Sequence, residues 1–411
     1  MSEQNYVAVS FVVAAYDTEK YIERCLKSIE QQDINDYEVI VVDDCSKDST
    51  YEVITRFSEK NRHVKLYQNE TNRGAGYTKN KAVSLCHGKY ICFVDSDDWL
   101  VEGAIKQVYG LAETMQCDDV YYEMQSINEG SGSIPICDME PHVNSVFDNG
   151  ESFFEKMLDE HKVTVGAWHH FIRRDVISSG VRFSEGTVND DWEFSTGLYR
   201  NTNRIIVLSN PYYVYFHRKL GSITNIANEV SLVSEIYQYI SAICNDDLEP
   251  RKISDRVKSK IILYRMIELQ NEILLGKKGC KEELEVVMCQ LANNPLQREL
   301  FEKSKRLSVY GIVDQRVLEK AKRASEVYIY GAGAYGRDSY RILTLSGITV
   351  KAFVTTEGGG VCTFGLPTQS INDTQPDKDS FFLVAVSERY KAEVVKTIKQ
   401  KTMCDYGYLV V

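Results

Sequence analysis

No run of about 18 apolar residues occurs anywhere in the 411-residue chain, so no membrane-spanning helix is expected. Dense Lys/Arg clusters are missing too. With 59 acidic against 48 basic residues the net charge is -11, which makes a phosphate backbone a poor partner and argues against nucleic-acid binding. No CxxC pair exists among the cysteines at 25, 45, 86, 92, 117, 137, 244, 280, 289, 362 and 404, an odd set of 11. Several lie inside apolar runs, and they read as buried thiols of a reducing compartment. The opening MSEQN leads straight into YVAVSFVVAAY, too short and wrongly flanked for a signal peptide. A cytoplasmic protein is therefore expected, with a peripheral position at the inner face of the cell membrane left open. There is no fixed-period repeat and no low-complexity tract.

What is present is β/α alternation. Between Val7 and about Leu111, runs such as VAVSFVVAAY, YEVIVVDDCS, VKLYQN and KYICFVDSDDWL alternate with the amphipathic EKYIERCLKSIEQQ, STYEVITRFSEKN and AGYTKNKAVSLCHG. Continuous Val/Ile-rich strands between helices predict a parallel sheet covered on both faces, with a ligand beyond the carboxyl ends of the strands. Residues 112–224 are mixed and include the Gly/Ser loop NEGSGSIP and the strand-like RIIVLSNPYYVYFHR. From Asn228 to Ala324 Pro and Gly are scarce and apolar residues recur at helical spacing, predicting a helical connector. From Ser325 onward β/α alternation restarts with VYIYGAG, TVKAFVTT and SFFLVAVS.

Acidic clusters close the apolar strands. YICFVDSDDWL places Asp95, Asp97 and Asp98 within four residues, where like charges repel unless a cation or hydrogen-bond donors neutralise them. Asp95 and Asp97, two apart, project to one side of an extended segment, which suits a divalent metal. The competing reading is a cap and acidic first turn for a helix DDWLVEGAIKQVYG, and both can hold if Asp98 caps while the other two bind. Asp43 and Asp44 in VIVVDDCSKDST, and Asp190 and Asp191 in EGTVNDDWEF, would each pass for helix caps if met alone.

As an ordered set, VSFVVAAYDTEKYIERCLKSI, VIVVDDCSKDST, NRGAGYTKNKAV, YICFVDSDDWL, EGTVNDDWEF and HRKLGSIT resemble family 2 glycosyltransferases, the inverting nucleotide-sugar enzymes of GT-A fold, over roughly residues 6–225. The resemblance implies a Rossmann-like half for the donor nucleotide and a second half for the acceptor. It assigns Ala14, Ala15 and Tyr16 to the base and ribose, and Asp44 to the uracil N3–H, with Cys45 in place of the usual Gly. Lys79 stands where Arg is more usual, keeping positive charge near the nucleotide but losing the bidentate fork; Asn80 follows it, as in the family. Asp95, Ser96 and Asp97 match the DxD motif: Asp95 and Ser96 on the donor side, Asp95 and Asp97 as ligands of Mn2+ or Mg2+, with His217 completing the metal shell or touching phosphate and Arg218 over the diphosphate. Asp191 matches the general base, and Asp190, at the Glu of the family's ED motif, is a candidate acceptor-binding residue. Trp192, His169 and His170 are candidates for the acceptor pocket, and Trp99 and Trp192 for stacking on sugar; packing roles remain open for all four.

The glycines of VYIYGAGAYG, Gly331, Gly333 and Gly336, form a GxGxxG turn between a strand and a helix, a generic anion site. A dinucleotide would need an Asp or Glu ending the next strand, but TVKAFVTTE ends in Thr355 and Thr356. This segment also resembles a small Rossmann-like sugar-nucleotide-associated domain, with GLP at 365–367 and FLVAVS at 382–387 as landmarks.

The expected organisation is a GT-A α/β domain (1–225), a helical connector (226–324) and a Rossmann-like α/β domain (325–411). The expected activity is metal-dependent, inverting transfer from a UDP-sugar to a hydroxyl of a glycan or lipid-linked acceptor in surface-polysaccharide biosynthesis. An NAD(P)-dependent or sugar-nucleotide-modifying enzyme centred on the last domain, and a non-catalytic sugar-nucleotide-binding scaffold, are the alternatives. Homo-oligomerisation stays open.

Overall fold

The computed structural model describes residues 7–130, 140–160, 162–218, 232–244, 253–275, 280–304, 307, 313–357, 364 and 366–409. The chain divides into two compact units. The first comprises Met1–Met157, Val163–Ile226 and Asp246–Ser254; the second comprises Leu158–Lys162, Ala227–Asn245 and Asp255–Val411.

In the first unit the apolar runs form β1 (Val9–Ala15), β2 (Tyr37–Asp43), β3 (Val64–Gln68) and β4 (Tyr90–Phe93). The intervening amphipathic segments form α1 (Ile22–Glu30), α2 (Thr50–Ser58) and α3 (Ala75–Ser84). These crossovers make the four strands parallel, and β1, β2 and β4 are buried on both faces, as their continuous apolar character requires. Further along come β5 (Trp99–Leu100), α4 (Ala104–Met115), β6 (Asp119–Asn128), β7 (Val143–Phe147), α5 (Gly150–Asp159), β8 (His170–Arg173), α6 (Arg174–Ser178), α7 (Asp191–Asn201) and β9 (Ile205–His217). The strand order is β3-β2-β1-β4-β8-β6-β9-β5, with β7 also paired to β9. The β4–β8 and β6–β8 pairs are antiparallel, whereas β6 and β9 pair parallel, so the sheet is mixed beyond β4. Pro211, which has no N–H for a ladder, sits opposite Glu123 where the β6–β9 register slips.

The helix DDWLVEGAIKQVYG does not begin at Asp98. Trp99 and Leu100 pair antiparallel with Val214 and Tyr213 of β9, and helix α4 starts at Ala104. Cross-strand pairing and burial of Leu100 outweigh the local capping signal.

The second unit contains α8 (Val233–Cys244), α9 (Asp255–Leu275), α10 (Cys280–Asn293), α11 (Pro295–Ser304) and α12 (Gln315–Arg323), together with a second sheet. Its strands are β10 (Val327–Tyr330), β11 (Val350–Thr355), β12 (Thr368–Ser370), β13 (Phe381–Val384) and β14 (Asp405–Gly407); α13 (Ala334–Leu345) and α14 (Glu388–Lys401) complete it. All pairs are parallel in the order β12-β11-β10-β13-β14, a Rossmann-like arrangement. The helices and this sheet are tied by Arg341, fully buried, which pairs with Asp338 at 2.7 Å and donates to the carbonyls of Ser304 and Leu307. Among the described residues no helix is long and apolar enough to cross a membrane.

Candidate functional site

Strands β1, β2 and β4 end on one edge of the first sheet, with Ala15 opposite Asp43 and Val12 opposite Phe93. Tyr16, Asp44 and the Asp95–Ser96–Asp97 triplet follow those ends directly, the position where ligands bind in parallel α/β sheets.

Asp190 and Asp191 open α7, but the Asp190 side chain makes no capping hydrogen bond. Both carboxylates turn to Lys79 of α3, whose Nζ lies 3.0 Å from Asp190 Oδ2 and 3.1 Å from Asp191 Oδ1. Lys79 thus bridges the two acids, and with Asp95 three carboxyl groups converge on a side chain only 12% exposed. Burial works against its charge, yet Asp191, Asp190 and Asp95 together raise its pKa. Burial, aided by Asp190 and Asp95 and opposed by Lys79, pushes Asp191 up to about 7. Such a carboxylate is close to half ionised at neutral pH, the condition under which it both takes and returns a proton.

The Asp95 carboxyl is pushed up to about 6, by burial first and by Asp97 and Asp190 in addition, with Lys79 and Arg218 opposing. Asp97 forms an ion pair with Arg218, Nε to Oδ2 at 2.6 Å, and its backbone carbonyl accepts from Arg24 Nη2 at 2.7 Å. The Arg24 guanidinium lies 3.8 Å from the Trp99 ring centroid and 4.3 Å from that of Phe216. Asp98 belongs to the scaffold: it accepts from the Phe216 N–H at 2.7 Å and the Tyr213 O–H at 2.8 Å, and the Tyr213 oxygen accepts the Asp95 N–H at 3.0 Å. Burial with Asp97 and Asp95 nearby holds its pKa well above the usual carboxylate range. Asp95 and Asp97 thus present hard oxygen donors in a region of surplus negative charge, which fits Mg2+ or Mn2+. Among the described residues no three His, Cys, Asp or Glu side chains gather closely enough to hold a metal alone, so further oxygens would have to come from a ligand. His217 is exposed, set edge-on against Tyr215.

The other candidates divide clearly. Ala15 is buried at the end of β1, Tyr16 is half-buried after it, and Ser96 is buried between the two acids. Asp44 is buried and accepts from Asn69 Nδ2 (2.7 Å), the Arg73 N–H (2.8 Å) and the Gly74 N–H (2.8 Å). Only one of its lone-pair positions, on Oδ2, is left for a uracil N3–H. Cys45, where the family resemblance expects Gly, has φ +60°, a left-handed backbone that favours glycine.

His169 and His170 are core residues, not pocket linings. His169 is 1% exposed and bonds the Tyr122 carbonyl at 2.7 Å, and burial lowers its pKa to about 3. His170 is fully buried between Asp119 (2.7 Å) and the Tyr199 hydroxyl (3.2 Å). Trp192 is buried near Phe154, and the half-buried Trp99 ring has Arg24 stacked on one face.

In the second unit two of the three loop glycines are demanded by the turn. Gly331 has φ +114° and a Cβ there would meet the Ala385 carbonyl oxygen at 2.4 Å; a Cβ on Gly336 would meet the Gly331 carbonyl oxygen at 1.9 Å. Gly333 faces open space. Thr356 Oγ1 bonds the Tyr330 hydroxyl at 2.9 Å beyond the end of β11, where a ribose-holding carboxylate would be needed. Lys219–Thr224 of the motif HRKLGSIT and Gly365 of GLP lie outside the described residues.

Arg24 and Tyr213 escaped the sequence reading because each sits in an ordinary amphipathic pattern: Arg24 passes for a solvated charge of α1, Tyr213 for one of the inward positions of β9. Only the fold brings both onto the Asp95–Asp98 loop.

The sequence matches the family model "Glycosyl transferase family 2" over residues 10–180. EpsH of Bacillus subtilis, named as a glycosyltransferase, is 30% identical over 272 residues, covering 64% of this chain and 77% of its own length. Glycosyltransferase GlyA of Streptococcus pneumoniae is 26% identical over 321 residues, 75% of this chain but 44% of GlyA. The poly(ribitol-phosphate) beta-N-acetylglucosaminyltransferase TarS of Staphylococcus aureus is 31% identical over 218 residues, 52% of this chain and 36% of TarS. The chain thus spans less than half the length of GlyA and of TarS. The crystal structure of TarS 1–349 in complex with UDP-GlcNAc superimposes with a TM-score of 0.52 at 22% identity, covering 83% of this chain and 91% of that one, a likeness of fold. Sequence, sheet and site edge agree, and the chain belongs to glycosyltransferase family 2.

Proposed function

We propose that this enzyme transfers a sugar, with inversion, from a UDP-sugar to a hydroxyl of a glycan or lipid-linked acceptor in surface-polysaccharide assembly, and that Asp191 is its general base. The observation that carries the reading is the placement of Asp191: at the start of α7, partly open to solvent, held by Lys79, and raised to about 7. A base takes the acceptor hydroxyl proton while that oxygen attacks the anomeric carbon on the face opposite the leaving UDP, and a base with a pKa near working pH contributes about 10² to 10⁴ in rate. In-line displacement inverts the stereocentre. The uridine end would lie along Ala15 and Tyr16, with the free lone pair of Asp44 toward the base.

Asp95 and Asp97, with His217 within the same edge, would hold a divalent cation on the donor diphosphate. When bound, such a cation supplies Lewis-acid neutralisation of the charge on the leaving nucleotide. Arg218, paired to Asp97, would share in that neutralisation on the protein side. The UDP-sugar assignment is supported by family membership and by the sugar and ligand named for TarS; the polysaccharide setting is supported by the acceptor in that protein's name.

The test is a thermal-shift screen of UDP, UDP-sugars and NAD(P), each with and without Mn2+. UDP ligands are expected to raise the melting temperature in a cation-dependent way, by mass action on the folded state. Stabilisation by NAD(P) alone would overturn the proposal and move the chemistry to the second unit.

A further inference from the structure

We propose that Asn80 is a positioning residue for the catalytic base: together with Gly76 it fastens α3 to the loop 183–190 and so sets where the Asp191 carboxylate stands. The inference rests on Asp191 being that base.

The Asn80 amide grips one residue of the loop from both sides. Its Nδ2 donates to the Phe183 carbonyl at 3.0 Å and its Oδ1 accepts the Phe183 N–H at 3.0 Å, as a neighbouring strand would. The second Nδ2 hydrogen reaches Glu185 Oε1 at 3.0 Å. With these three bonds the amide is occupied by protein, which argues for a role in holding and against a role in touching the donor. The gripped loop is closed on the first turn of α7: the Ser184 N–H donates to the Asp190 carbonyl at 3.3 Å, and its hydroxyl donates to Glu193 Oε2 at 2.5 Å. Any shift of Phe183 is therefore passed to Asp190 and Asp191.

Gly76 lies one turn earlier on the same face of α3. A Cβ there would stand 1.9 Å from the Ser184 carbonyl oxygen and 3.2 Å from Asp190 Cβ, so the helix and the loop are in van der Waals contact and only glycine permits it. Phe183 is locked from its other side by Phe194 of α7, stacked with ring centroids 4.0 Å apart, and by Phe93 at 5.4 Å. At the opposite end α3 is anchored by Asp44, which accepts the N–H groups of Arg73 and Gly74 just ahead of it. One short helix thus connects the carboxylate at the end of β2 to the base at the start of α7, and a displacement of the base by about 1 Å suffices to cost about a hundredfold in turnover.

The experiment measures kcat for UDP-sugar turnover and UDP affinity by calorimetry for Asn80→Ala, alone and combined with Asp191→Asn. Asn80→Ala is expected to lower kcat by about 10- to 100-fold with UDP affinity held within about twofold, and to add less than about threefold once Asp191 is already Asn, because residues acting through one group are not additive. Ser84→Ala, on the exposed side of α3, is expected to leave both unchanged. A full-strength loss in the Asp191→Asn background, or a loss of UDP affinity in step with kcat, overturns the inference. If Asn80→Ala does not fold, Gly76→Ala applies the same displacement by steric means and carries the same expected and overturning results. An active Asp191→Asn enzyme would remove the base assignment and this inference together; an inactive Asp191→Asn beside a fully active Asn80→Ala would remove this inference alone.

Discussion

Among the described residues Lys79 is the cation paired to Asp191, and replacing it by Met removes that charge while keeping an unbranched side chain to fill the space. The charge lies 3.1 Å from Asp191 Oδ1, and at an effective dielectric of about 20 a unit pair at that distance interacts by about 5 kcal/mol. Water entering the vacated position and relaxation of the carboxylate offset part of this, so a net rise of about 1 to 3 pKa units is the realistic range. The sign follows directly: Lys79 favours ionised Asp191, and without it burial, Asp190 and Asp95 act unopposed, so the pKa climbs from about 7. A base must be ionised to act. The acid limb of the pH profile of kcat/KM is therefore expected near pH 7 in the natural enzyme and near pH 8 to 10 in Lys79→Met, with activity at pH 7 down by about 5- to 500-fold and recovered as pH rises. Lys79→Arg, which keeps the charge, is expected to hold the limb near its original position. The assay is UDP release over a pH series with divalent cation saturating. An acid limb that stays in place in Lys79→Met, or moves to lower pH, would refute the electrostatic account of the base.

Asp97→Asn is expected to weaken cation-dependent UDP binding by about tenfold or more, because the amide loses the charge that Arg218 and a cation share; equal calorimetric affinity of the two proteins in Mn2+ would sink the assignment. Gly331→Ala is expected to cost at least about 2 kcal/mol in chemical denaturation, since the new methyl meets the Ala385 carbonyl at a φ of +114°, whereas Gly333→Ala, with nothing near the added methyl, is expected to stay within about 0.5 kcal/mol. Equal costs at the two positions would contradict the view that the turn demands glycine at 331 but not at 333.

Much of this was legible in the residues, and the failures have physical causes. The parallel half was readable because β1, β2 and β4, buried on both faces, must be continuously apolar, as in YEVIVVDD and YICFVD. The second sheet was readable from VYIYGAG and its successors for the same reason. Asp98 was misread because a helix-cap signal is local, while its partners, Phe216 and Tyr213, lie more than a hundred residues away. The carboxylate partners of Lys79 come from across the fold, more than a hundred residues away, so only the family resemblance, not the local sequence, placed it near the donor site. His169 and His170 were candidates for the acceptor pocket. Alternation across β8 and the adjoining turn gives one a backbone carbonyl and the other a buried Asp119, which no spacing rule discloses. Asp44 was placed at the right strand end, but the donors that fill its carboxylate belong to the loop after β3.

The measurement that bears most directly on the central claim is the turnover of Asp191→Asn set beside its affinity for UDP. The substitution keeps the shape of the side chain and removes its ability to take a proton, so kcat is expected to fall by about 10² to 10⁴ while UDP affinity in Mn2+ stays within about twofold. An Asp191→Asn enzyme that keeps more than half of its activity would contradict the account.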